Sequence, residues 1–165
     1  MVTQERLKEL LNYNPDTGIF TWLVTRNAYG GGVRPGSIAG DKDSHGYWRI
    51  GIDGTRYPLH RLAWLYVRGA MPENHIDHIN GDKADNRLCN LRQATRFENL
   101  SNRGKNKNNS SGYKGVWFNK KLGKWIAGIT HNNKAKHLGV FETPELAYEA
   151  YCKKAAELHG EFAKF

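Results

Sequence analysis

The ten residues 103–112, RGKNKNNSSG, carry no large apolar side chain and are rich in Asn, Ser, Gly and Lys. Such a segment has nothing to bury in a core and reads as a linker. It cuts the 165-residue chain into residues 1–102 and 113–165. Two small domains are therefore expected, each closing its own core, and a large multilayer enzyme is excluded.

The pattern on either side differs. Residues 3–12, TQERLKELLN, read as a short helix capped by Thr3, with Leu7, Leu10 and Leu11 on one stripe. NPDTG at 14–18 is a turn. Segments of β character follow at 19–24, 47–52 and 56–59, with a hairpin turn at 52–55, IDGT. The stretch AYGGGVRPGS at 28–37 is too glycine-rich for regular structure. HRLAWLYVR at 60–68 places Leu62, Leu65 and Tyr66 on one helical face, and Gly69 suits its end. Beyond the linker, strands are expected at 113–119, 124–131 and 136–141, broken by KLGK and NNKA turns. Thr143 caps a helix opened by Pro144 and Glu145, burying Leu146, Ala147, Ala150, Tyr151 and Ala155, and ended by Gly160. The fold class is α+β: a β-rich lead-in and a ββα unit, then a three-stranded antiparallel sheet carrying one helix.

Charge is placed unevenly. The net charge is +9, but residues 101–165 hold 12 Lys and Arg against 5 Asp and Glu, and residues 1–100 hold 13 against 11. A basic C-terminal third on a balanced body is either a polyanion-binding module or a solubilising face. With 39% hydrophobic and 12% aromatic residues the chain is not disordered. No run of about 18 apolar residues exists, so no transmembrane helix and no membrane partner are expected. The first 18 residues lack a signal-peptide apolar region, and Cys89 and Cys152 are too few for a disulfide scaffold, which fits a cytoplasmic location.

The densest polar cluster is HIDHINGDKADNRLCNLRQATRFENLSN, 75–102. A β segment ending at Asp77-His78, a turn-rich loop, a short strand at 88–92 and a helix from about residue 94 give ββα. There Asp77 and Asn99 offer hard oxygen ligands suited to Mg²⁺, with Mn²⁺ able to substitute. His78 stands beside the metal and can accept a proton from water. Asn90 either holds the imidazole or braces the loop. A zinc site built on His75, His78 and Cys89 lacks a spacing that completes four ligands. His60 is either a packing or capping residue or a DNA contact. Asp82 and Asp85 are turn formers. Asn86 and Arg87 build the loop, or Arg87 reaches a phosphate.

The stretch 60–102 resembles the HNH endonuclease family, in particular its phage and intron-type homing endonucleases, through Asp77-His78, Asn90 in NRLxNLR, and Asn99. The lead-in sequences NPDTGIFTW and GYWRIGIDGTRYPLHRLAW also look like this subgroup. The resemblance implies a ββα-metal fold in 1–102, with its core at about 60–102, and one divalent ion. By position it makes His78 the general base, Asn90 its orienting residue, and Asp77 and Asn99 the metal ligands. Arg103 replaces a further metal-binding His of some members, which implies two protein ligands and a nearby phosphate contact. If the chain is phage-encoded, the compartment is the host cytoplasm.

Residues 113–165 resemble the plant Apetala-two/ethylene-responsive-factor (AP-two/ERF) DNA-binding domain. The likeness rests on YKGVW, GKWIAGI and LGVFETPELAYEAYCKKAAELHGEFAKF. It implies DNA contacts at Lys114, Trp117 and Trp125, with Trp125 equally readable as core. Trp117 stands in place of an Arg, Gly128 of a Glu and Thr130 of an Arg, so base specificity is not inherited. Lys120, Lys121, Lys134 and Lys136 are phosphate candidates or plain solvated lysines.

The expected function is a metal-dependent endonuclease acting on double-stranded DNA, leaving 5′-phosphate and 3′-hydroxyl ends and targeted by its C-terminal module. It is expected to act as monomer or homodimer with no implied protein partner. The alternatives are a non-catalytic DNA-binding regulator with a structural HNH unit and an RNA-binding module, the latter without RNP-type or GXXG signatures.

Overall fold

The computed structural model describes residues 1–26, 32–106 and 108–165. Parts of two expected segments, residues 28–31 of the glycine-rich stretch and residue 107 of the linker, lie outside the described residues. The chain divides into two compact units, Met1–Ala94 and Thr95–Phe165.

In the first unit, helix α1 (Gln4–Leu10) starts where Thr3 accepts a hydrogen bond from the Arg6 amide, and it buries Leu7 and Leu10. The chain turns directly into β1 (Leu11–Asn14), which pairs antiparallel with β2 (Ile19–Trp22), Tyr13 opposite Phe20. The Asn14 side chain accepts from the amides of Asp16 and Thr17 and closes the connecting turn. A three-stranded antiparallel sheet follows in the order β3 (Asp41–Lys42), β4 (Trp48–Ile52), β5 (Thr55–Pro58). Asp53 and Gly54, both at positive φ, form its tight hairpin turn.

Helix α2 (Leu59–Arg68) comes straight off β5 and buries Leu59, Leu62, Ala63 and Leu65. Strands β6 (His75–His78) and β7 (Leu91–Ala94) then pair antiparallel, with Asp77 opposite Arg92 and His78 opposite Leu91. Phe20, Leu7, Leu11, Ile52 and Leu62 are the largest fully buried side chains of this core. The strand expected over 88–92 starts only at Leu91, because Leu88–Asn90 forms a 3-10 turn.

In the second unit, α3 (Arg96–Ser101) opens with a reciprocal cap: Thr95 accepts from the Glu98 amide, and Glu98 accepts from the Thr95 amide. Strands β8 (Val116–Asn119), β9 (Lys124–His131) and β10 (Lys134–Phe141) form an antiparallel sheet with β9 central. Helix α4 (Pro144–His159), capped by Thr143, packs Ala147, Tyr151 and Ala155 against it. These residues fall every fourth position, so the buried stripe is narrow. Leu146, expected inside, lies off that stripe and is 47% exposed.

The expected break between domains was at 102/103, but α3 belongs to the second unit. The Lys114 ammonium donates to the Ser101 carbonyl at 2.7 Å, and Ser101 Oγ lies 3.1 Å from His159 Nδ1. These bonds tie the end of α3 to β8 and α4. Among the described residues no helix is long and apolar enough to cross a membrane.

Candidate active site

Asp77 and His78 are the last two residues of β6 and point to opposite sides of it. Antiparallel register sets Arg92 directly across from Asp77. Its Nε and Nη2 both lie 2.9 Å from Asp77 Oδ2, and both side chains are mostly withdrawn from water. The carboxylate is thus clamped in one orientation by a charge-assisted pair.

His78 is 5% exposed. Its Nε2 lies 3.4 Å from the Asn86 amide oxygen, long for a hydrogen bond, and its ring meets His60 edge-on at 5.2 Å and Tyr47 at 6.1 Å. An amide oxygen only accepts, so a hydrogen bond here requires the proton on Nε2 and leaves the lone pair on Nδ1. Burial pushes the His78 pKa below its ordinary value, against the raising effects of Asn86 and Asp77.

Asn90 braces the loop through its own backbone partners. Its Oδ1 accepts from the Asn80 amide at 3.0 Å, and its Nδ2 donates to the Asp85 carbonyl at 2.9 Å. Asp82 and Asp85 are turn formers as expected: Asp82 accepts from the Ala84 amide, and Asp85 from the Arg87 amide. The adjacent Arg87 guanidinium holds the Asp85 carboxyl down at about 2. Arg87 is exposed but doubly bonded to Asp85, at 2.8 and 2.6 Å.

The zinc reading fails on strand geometry. His75 and His78 are three apart on one strand, so they face opposite ways, and His75 is exposed. Among the described residues no group of three His, Cys, Asp or Glu could hold a metal ion.

His60, in the first turn of α2, packs and does not present itself to DNA. Its Nδ1 is sealed from solvent with no hydrogen-bond partner. Burial, reinforced by His78, holds its pKa at about 3. The sign follows from linkage. The unfolded chain takes up a proton on His60 below pH 6.5, and the folded chain refuses it, so this contribution to stability is full above pH 6.5 and is lost as pH falls towards 3. Between pH 7 and 5 the loss is about 2 kcal/mol. Urea unfolding at both pH values is expected to show His60→Phe losing about that much less than the parent; parallel losses would refute a neutral, sealed His60.

The remaining candidates lie in the second unit. Asn99 is half-buried on α3. Arg103, Lys120, Lys121, Lys134 and Lys136 are exposed. The Lys114 ammonium, expected at a DNA contact, is half-buried and donates to the carbonyls of Ser101 and Lys164, and burial lowers its pKa to about 8. Trp125 is core: it lies 5.1 Å from Phe118 and packs on the cluster of Val116, Ala127 and Ala147. Trp117, on the other face, is 47% exposed. Its indole lies across Gly128, where an added Cβ would come within 2.8 Å of the ring.

Sequence reasoning passed over Arg92 and Tyr47 and read Asn86 only as a loop builder. Arg92 becomes visible once the register of β6 on β7 is known, whereas no local signal marks Tyr47.

A family model for HNH endonucleases matches residues 57–101. The chain is 34% identical over 107 residues to Protein 3.8 of Escherichia phage T7, covering 64% of this chain and 88% of that protein. It is 34% identical over 118 residues to Uncharacterized HNH endonuclease L560 of Acanthamoeba polyphaga mimivirus, covering 69% of this chain and 59% of that one. It is 32% identical over 94 residues to Uncharacterized HNH endonuclease L247 of the same virus, covering 52% of this chain and 24% of that one. No solved structure matches.

The chain belongs to the HNH endonuclease family, an α+β protein and an HNH-type DNA endonuclease. None of these matches speaks for an AP-two/ERF domain in residues 113–165.

Proposed function

We propose that the protein is a homing-type HNH endonuclease that hydrolyses double-stranded DNA in the cytoplasm to 5′-phosphate and 3′-hydroxyl ends. The observation that carries this reading is the end of β6, where successive residues present a carboxylate held by Arg92 and an imidazole held by Asn86. His78 takes a proton from the attacking water on Nδ1, while Nε2 stays on Asn86. Asn90 holds the 79–90 loop in shape around it. Asp77 offers a hard carboxylate oxygen already fixed by Arg92, and Asn99, through its match to the family motif, offers an amide oxygen; donors of this chemistry suit a hard divalent ion. Bound there, Mg²⁺ or Mn²⁺ supplies charge neutralisation at the phosphate and leaving oxygen.

The second unit then serves as the targeting module, a sheet whose exposed Trp117 packs on the sugar-phosphate surface and whose Lys120, Lys121, Lys134 and Lys136 meet phosphates. The +7 balance of residues 101–165 supports this role. Tethering the two raises the local concentration of cleavage site and DNA. Arg87 and Arg103 add exposed cations for the backbone.

The test is incubation of pure protein with supercoiled plasmid in Mg²⁺ or in chelator. Nicked or linear product bearing ligatable 5′-phosphate ends is expected only with metal; equal cleavage in chelator refutes the metal-dependent reading.

A further inference from the structure

The side chain that meets His78 is Asn86, and the N-terminal hairpin decides where Asn86 sits. Asn86 is 2% exposed, and its amide is aimed at His78 Nε2 from the loop between β6 and β7. Its backbone carbonyl accepts a 2.7 Å hydrogen bond from the Tyr13 hydroxyl on β1, a buried bond spanning 73 residues. The turn joining β1 to β2 presses on the same backbone. Gly18 stands there at φ +72°, and a Cβ on it would fall 2.5 Å from Arg87 N and 2.6 Å from Asn86 C. No L side chain fits at that approach, and the conformation itself favours glycine. The Leu88 amide adds a longer bond to the Pro15 carbonyl at 3.4 Å. Three independent contacts from residues 13–18 therefore converge on residues 86–88.

We propose that Asn86 is a positioning residue for the His78 base, and that Tyr13 and Gly18 of the N-terminal hairpin hold Asn86 in place. An imidazole has two chemically distinct nitrogens, and the partner of one fixes which of them is basic. A fixed acceptor at Nε2 keeps the proton there and the lone pair on Nδ1, the role a buried acceptor plays for other catalytic histidines. The 3.4 Å separation is of the kind that shortens once substrate closes a site. The β1–β2 hairpin is thus a buttress of the catalytic centre, although it lies some 60 residues before it in sequence.

The proposal rests on His78 acting as the base, and the experiment separates the two. Plasmid cleavage in Mg²⁺ is measured on the full chain for His78→Ala, Asn86→Leu, Asn86→Asp and Tyr13→Phe, with thermal melts confirming folding. Asn86→Leu should lower kcat at least about tenfold with KM within about twofold, the pattern of a group that acts on the chemical step. Asn86→Asp, which still accepts from Nε2, should recover to within about threefold of the parent. Tyr13→Phe should lower kcat about three- to tenfold at unchanged KM. If Asn86→Leu and Tyr13→Phe cleave at the parent rate while His78→Ala is inactive, the positioning proposal is wrong and the base assignment stands. If His78→Ala cleaves at the parent rate, the base assignment itself is wrong. Should Asn86→Leu not fold, the comparison of Asn86→Asp and Tyr13→Phe with the parent decides: failure of Asp to sustain cleavage, or no effect of Phe, overturns the proposal.

Discussion

The His78→Ala variant is expected to lose at least about a hundredfold in cleavage rate, the usual share of a general base, while its affinity for double-stranded DNA stays within about twofold. The separation follows from where the groups lie. His78 is 5% exposed at the end of β6, so it offers almost no surface to a polyanion. The exposed cations, Lys120, Lys121, Lys134 and Lys136, belong to the other unit and are untouched by the substitution. Gel-shift and plasmid assays on the same preparation measure both quantities. Parallel loss of binding and cleavage would mean that His78 holds the fold or the DNA and does not do the chemistry.

Asp77→Ala carries the second large effect, and it acts on stability as well as on cleavage. Arg92 faces Asp77 across the β6–β7 ladder, with side-chain exposures of 13% and 4%. Removing the carboxylate takes away the opposite charge that the largely buried Arg92 guanidinium faces across the ladder. Breaking a buried pair from one side costs about 3–5 kcal/mol, which urea unfolding reads directly. The double variant Asp77→Ala/Arg92→Met removes the guanidinium together with the carboxylate and is expected to regain most of that stability. Cleavage is expected to stay lost in both, because the carboxylate proposed to hold the metal is missing from both. A double variant that regains cleavage together with stability would reduce Asp77 to a structural residue.

Much of the chain was legible because its signals are local. Thr3 before α1, the Asp53-Gly54 turn and Thr143-Pro144 before α4 each announce themselves within a few residues. What stayed hidden depends on partners far away in sequence. Nothing around Lys114 says that its ammonium will find the carbonyls of Ser101 and Lys164. Trp125 and Trp117 lie on neighbouring strands with similar surroundings, and only the register sends one to the helix side and the other to solvent. Asn90 and Asn86 are both asparagines in one loop, yet backbone groups claim the first and the imidazole the second.

The indole laid across Gly128 has an implication for how such sheets diversify. A flat plate needs bare backbone beneath it, and a single methyl there would meet the ring at 2.8 Å. A Cβ at position 128 would force the Trp117 ring to move, so substitutions at the two positions are coupled. Relatives sampled at these two columns are expected to change them as a pair.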